Sequence, residues 1–130
     1  MAFKLEREKT TTTPYILIDE EKGYMRFEGE CYLEDILGFF KEINAWLEGH
    51  ILSDFGEFTF DCAMDYFNSS TTKLLHNMLR LMDKNSNDKN KVIVNWIAVE
   101  DDDMIIECGE DFQEEMENLE FNIVTVKEYI

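Results

Sequence analysis

Apolar and polar residues alternate along Tyr24–Cys31. Met25, Phe27 and Cys31 fall on one side, and Arg26, Glu28 and Glu30 on the other. That period of two marks a half-buried strand. Tyr15–Asp19 (YILID) reads as a strand before it, and Glu20–Gly23 as the turn that makes the two a hairpin. Residues 1–13, ending in four threonines before Pro14, read as an irregular lead-in, with room for a short strand at its start. The period then changes. Leu33, Ile36, Leu37, Phe40, Ile43 and Leu47 recur at three and four, predicting an amphipathic helix of about four turns. Gly38 inside it would let the helix approach the sheet closely, and Gly49 would stop it.

Glu57–Phe67 returns to alternation. Phe58, Phe60, Cys62, Met64 and Tyr66 share one face, and Thr59, Asp61, Ala63 and Asp65 share the other. A second helix follows with Leu74, Leu75, Met78, Leu81 and Met82 on one side, closed by the polar loop Asn85–Asn90. Lys91–Val99 (KVIVNWIAV) is apolar in both phases, the expectation for a central strand buried on both faces. Asp101–Glu117 predicts an acid-rich helix whose apolar positions include Met104, Ile105, Cys108, Phe112 and Met116. Phe121–Val126 predicts the last strand. The order is ββαβαβαβ, a single α/β domain over 1–130 with a mixed five-stranded sheet flanked by three helices. Right-handed crossovers make the later strands parallel.

Composition sharpens this. With 130 residues, 45% hydrophobic and 13% aromatic, the chain can bury a core without disulfide or metal. It carries 29 acidic against 12 basic residues, a formal charge of −17. Nucleic acid and anionic membrane would be repelled. A basic protein surface would be attracted, although an acidic coat also serves solubility alone. No apolar run approaches the about 18 residues of a membrane span. The charged opening Met1–Lys9 lacks a secretory-signal pattern. Cys31, Cys62 and Cys108 are odd in number and far apart, which suits a reducing cytoplasm.

Candidate chemistry is sparse. No phosphate-binding glycine loop, HExxH, CxxC or GxSxG occurs. His50 and His76 lack partners at metal-ligand spacing. No metal site and no cofactor is expected. Glu100–Asp103 (EDDD) offers oxygen ligands for a hard cation, yet acids are also expected in a first helical turn, facing the positive end of the dipole. Asp61 and Asp65, four residues apart on a strand, stand about 13 Å apart, too far for a shared-proton pair. Asp65 would frame the strand end, or would be only a solvated acid.

The sharpest local feature is Asn68-Ser69-Ser70-Thr71-Thr72, where a strand ends and a helix begins. Asn68 or Ser69 would serve as N-cap. One cap needs one side chain, so the surplus hydroxyls also fit a phosphoacceptor, whose anion the free helical amides would tolerate. Both readings stand on local pattern.

The stretch Asp65–Thr71 resembles the Y-[LF]-N-[ST]-S-[ST] motif of the SiaC-like family, bacterial phosphoproteins of partner-switching modules. Thr13-Pro14, Gly29-Glu30, Tyr32, Trp96 and Gly109–Phe112 extend the resemblance over nearly the whole chain. It implies a fold similar to anti-sigma-factor antagonists (STAS-like) and a non-enzymatic switch. It implies phosphorylation by a cognate Ser/Thr kinase at the hydroxyl after the motif asparagine, Ser69, with Ser70 and Thr71 as fallbacks. A PP2C-type phosphatase would reset it. The unmodified protein would bind and regulate an output partner, a diguanylate cyclase in the best-known modules. Asp65, Tyr66, Asn68, Ser69, Ser70 and Lys73 would contribute to that docking face. The competing classes are a small acidic metal- or ligand-binding domain, conceivably a weak hydrolase, and a scaffold in which NSSTT is only a cap.

Overall fold

The computed structural model describes residues 2–129; Met1 and Ile130, the ends of the expected domain, lie outside it. Among the described residues, six strands form one sheet in the order β1-β2-β3-β4-β5-β6. They are β1 Lys4–Arg7, β2 Tyr15–Asp19, β3 Tyr24–Cys31, β4 Glu57–Phe67, β5 Lys91–Val99 and β6 Glu120–Val126. The first two junctions are antiparallel and the remaining three parallel. Helices α1 Ile36–Ile51, α2 Ser69–Lys84 and α3 Asp103–Glu115 fill the crossovers.

The expected five-stranded sheet is therefore corrected to six. β1 is the short strand for which the start of the lead-in left room, although its four residues include one apolar side chain, Leu5. That is too little alternation to read. Tertiary contacts hold it instead: Arg7 Nη1 donates to the Phe39 carbonyl (3.1 Å), its Nη2 pairs with Glu42 (2.9 Å), and Phe3 stacks on Trp46.

Because β3 to β6 follow one another in space as in sequence, right-handed crossovers put α1, α2 and α3 on one face of the sheet. The core lies there, joining Phe27, Phe60, Cys62 and Trp96 to Phe40, Leu47, Leu75, Met78 and Phe112. β5 is consequently not buried on both faces. Val92, Val94, Trp96 and Ala98 are buried beneath the helices, while Ile93, Asn95, Ile97 and Val99 are half-buried on the open face. The open face carries a polar network in place of a second helical layer. Asp61 accepts from Tyr24 (2.6 Å), Asn95 (2.8 Å) and Arg26 (3.4 Å), and Asn95 accepts from Asn122 (3.1 Å).

Two glycines act differently from expectation. Gly49 lies inside α1, which runs to Ile51, and Gly38 is exposed away from the sheet. Gly38 leaves room for its own cap: an added Cβ would lie 2.3 Å from Asp35 Oδ2, the carboxylate that caps α1.

The close approach of helix and sheet occurs at Gly109. There a Cβ would stand 2.3 Å from Trp96 Cδ1. Trp96 is buried, donates from Nε1 to the Ile105 carbonyl at 2.8 Å, and meets Phe112 edge-on. The far end of α3 is tied down by Asp83, whose carboxylate accepts from the backbone N–H of Glu117 (3.2 Å), Asn118 (2.7 Å) and Leu119 (2.9 Å). Gly109→Ala must push α3 off Trp96. It is expected to lower the unfolding free energy by about 1–3 kcal/mol in urea titration, with a matching change in tryptophan emission.

Candidate docking site at the carboxyl ends of the parallel strands

β3, β4 and β5 end at Cys31, Phe67 and Val99, and α1, α2 and α3 begin just beyond them. One edge of the molecule thus gathers the helix N-termini, where backbone amides lack intrahelical partners.

A β-bulge shapes this edge. Pairing runs Gly29 to Met64, then Glu30 to Tyr66 and Cys31 to Phe67, leaving Asp65 unpaired. Gly29 accommodates the irregularity with φ of +103°, a conformation that favours glycine. One extra residue reverses the phase of everything after it. Phe67 turns into the core, edge-on to Trp96, and Tyr66 turns out. The expectation that Tyr66 shares one face with Phe58, Phe60, Cys62 and Met64 is thereby corrected: it is 46% exposed and stacks on exposed Tyr32, centroids 4.6 Å apart.

Asp65 itself is half-buried, its Oδ1 is enclosed without a hydrogen-bond partner, and burial raises its pKa. It borders a cleft of about 450 Å³ lined by Lys9, Thr10, Thr11, Gly29 and Glu30. That lining does not include Ser69. Asp61 lies in the open-face network, so the two aspartates have separate surroundings.

The hydroxyl run divides cleanly. Asn68 is the N-cap of α2: its Oδ1 accepts from Thr71 N–H (3.0 Å) and its Nδ2 donates to the Leu33 carbonyl (3.3 Å). Thr71 is fully buried, its hydroxyl 2.9 Å from Asn68 Oδ1 and 3.3 Å from Cys31 Sγ. Thr72 donates to the Asn68 carbonyl (3.1 Å). Ser69 and Ser70 remain exposed, with no side-chain hydrogen bond among the described residues. Of the hydroxyls at 69–71, Thr71 is therefore the one closed to solvent. Lys73, also exposed, stands one turn after Ser69 on the same helix side.

Leu37 and Met104 are apolar residues in the first turns of α1 and α3. They are 70% and 80% exposed, because they stand beside the buried stripes Ile36, Phe40, Ile43, Leu47 and Ile105, Gly109, Phe112 rather than within them. With Tyr32 they are the members of this surface that periodicity missed. Their proximity to a helix start was the available signal.

The acidic run is structural in part: Asp102 caps α3 by accepting from Ile105 N–H (3.3 Å). Among the described residues no group of three or more His, Cys, Asp or Glu side chains is disposed to hold a metal ion. His76 bonds Glu115 (2.5 Å) and lies over Phe112. His50 packs among Trp46, Phe55 and Phe58, and burial lowers its pKa. The cysteines are free, and burial pushes the Cys62 thiol up to about 12 and the Cys108 thiol to about 11. No described helix is long and apolar enough to cross a membrane.

The strand-end edge of this one-sided α/β sheet thus presents a capped helix start, exposed hydroxyls and exposed aromatics together. The chain belongs to the SiaC family of regulatory phosphoproteins, whose family model matches residues 7–126. An uncharacterized protein of Pseudomonas aeruginosa (strain UCBPP-PA14) is 24% identical over 106 residues, 82% of this chain and 84% of that protein. The fold is that of apo-SiaC from Pseudomonas aeruginosa, with TM-score 0.82 and 24% identity over 94% of this chain and 98% of that one. It is also that of SiaC in the crystal structure of the diguanylate cyclase SiaD with its activator SiaC, from the same organism. There the TM-score is 0.86 and the identity 23%, over 94% of this chain and 99% of that one.

Two substitutions test the geometry of this edge. Asn68→Ala removes the cap and is expected to lower stability by about 1–2 kcal/mol in chemical denaturation. Asp65→Asn removes a charge that folding buries. Since the folded-state pKa of Asp65 is raised, ionised Asp65 opposes folding at neutral pH, and protonation relieves it as pH falls through that raised value. The variant should melt higher than wild type at pH 7, and the gap should close on acidification.

Proposed function

We propose that this chain is a phospho-switch with Ser69 as acceptor, binding a regulated output protein when unmodified. The observation that carries the reading is the division of labour at the start of α2. Asn68 already caps the helix, so the Ser69 hydroxyl is exposed and structurally idle. A phosphate on it meets the free first-turn amides, so the fold tolerates it. Ser70 is the second choice, and the burial of Thr71 argues against it.

The output surface comprises the strand-end edge, with Tyr32, Tyr66, Leu37 and Met104 as apolar anchors around Ser69, and Asn68, Ser70 and Lys73 beside it. Exposed aromatics of this kind supply much of the energy of protein interfaces. Phosphorylation adds about −1.5 to −2 charges to a chain already at −17. The dianion must be desolvated inside an interface that offers it little compensation, and the complex dissociates. A Ser/Thr kinase and a PP2C-type phosphatase would write and erase the mark. A diguanylate cyclase is the partner class that the SiaD–SiaC complex of Pseudomonas aeruginosa supports. Free cysteines suit action in the cytoplasm.

Mass spectrometry of the protein recovered from its own cells should find phosphate on Ser69. Binding of the output protein should survive Ser69→Ala and weaken at least roughly tenfold on phosphorylation or Ser69→Asp, with melting temperature little changed. Tight binding by stoichiometrically Ser69-phosphorylated protein would sink the proposal.

A further inference from the structure

β1 and β6 form the two edges of the sheet. β1 is guarded: it is four residues long, and Lys4, Glu6 and Arg7 are charged, the protection that edge strands commonly carry. β6 lacks such protection. Between Glu120 and Lys127, the run Phe121-Asn122-Ile123-Val124-Thr125-Val126 has no charge and no proline.

The direction of its backbone groups follows from alternation. The Val126 carbonyl accepts from Glu100 N–H (2.8 Å), toward β5. The even-numbered residues of β6 therefore bond inward, and Phe121, Ile123 and Thr125 turn their N–H and C=O outward. One outward group is occupied, because Gln113 Nε2 donates to the Phe121 carbonyl at 2.9 Å. Among the described residues, no partner outside the ladder reaches the backbone of Ile123 or Thr125. Thr125 is exposed, and Val124 is 39% exposed on the open face.

Charge selects the occupant. Residues 100–120 hold eleven acidic side chains and no basic one, and α3, which bears six of them, packs beside β6. Glu110 stands one turn before Gln113 on the same side of α3. A second copy of the chain would bring the same acids to the junction and be repelled.

We propose that the outer edge of β6 takes an extended, basic segment of a partner protein as an added strand. Its alternate side chains are apolar over Val124 and Lys or Arg toward α3. The site is separate from Ser69 and does not rest on the phospho-switch.

The test uses the full chain and the synthetic peptide Lys-Val-Lys-Val-Lys-Val, read by amide hydrogen exchange. Saturating peptide should slow exchange at Ile123 and Thr125 by roughly tenfold or more, and added salt should weaken the effect. Thr125→Pro removes an outward donor without touching the β5 ladder and should abolish the protection. Should Thr125→Pro itself melt early, Val124→Lys serves instead, and it should weaken peptide binding at least roughly tenfold by like-charge repulsion. The proposal is overturned if the peptide binds while Ile123 and Thr125 exchange unchanged. Equal binding of Glu-Val-Glu-Val-Glu-Val overturns it too, as does protection that grows with protein concentration in the absence of peptide.

Discussion

The handedness of the crossovers is the constraint on which the rest of the molecule depends. Four parallel strands lie in sequence order, and three right-handed connections of the same sense put α1, α2 and α3 on one face. The core then has a single layer between sheet and helices. Each of these helices starts at the same edge of the sheet, so unpaired amides, first-turn side chains and the hydroxyls of α2 are brought together there. The opposite face, denied a helical layer, satisfies its polar side chains with one another across Tyr24, Arg26, Asp61, Asn95 and Asn122.

That arrangement separates stability from function. Trp96 and Gly109 hold α3 against the sheet, and Asp83 holds the chain leaving α3, both through buried or backbone groups that make no use of Ser69. At the start of α2 the separation is finer still. Asn68 and Thr71 form the cap with their side chains, while Ser69 and Ser70, on the same turn, bear no structural duty. The phosphorylation proposed there would leave untouched the packing that defines the fold. The two sheet edges show a similar contrast, since charge guards β1 and leaves β6 bare.

Much of this was legible from residues alone. Periodicity located β2 to β6 and the helices to within a few residues, because each buries a stripe wide enough to be seen in a short window. The placement of Asn68-Ser69 at a strand-to-helix junction was equally local. The proposal of Ser69 as phosphoacceptor rests on a motif resemblance, because the physics of a helix N-terminus permits a phosphate without requiring one.

What escaped the sequence shares a physical cause: burial is decided by what covers a position. β1 has too little hydrophobic pattern to register and exists through its pairing with β2 and the Arg7 contacts. β5 is apolar in both phases, yet one of its faces has no helix over it. Leu37 and Met104 are apolar but fall beside the buried stripe of their helices. Tyr66 keeps the strand phase until one unpaired residue, Asp65, reverses it. The sequence by itself determined β2 to β6, the three helices and where the hydroxyls would fall, since these depend on local spacing. Only the tertiary structure decided which faces are covered and which aromatics stand free beside Ser69, because coverage depends on crossover hand and register, which no local window contains.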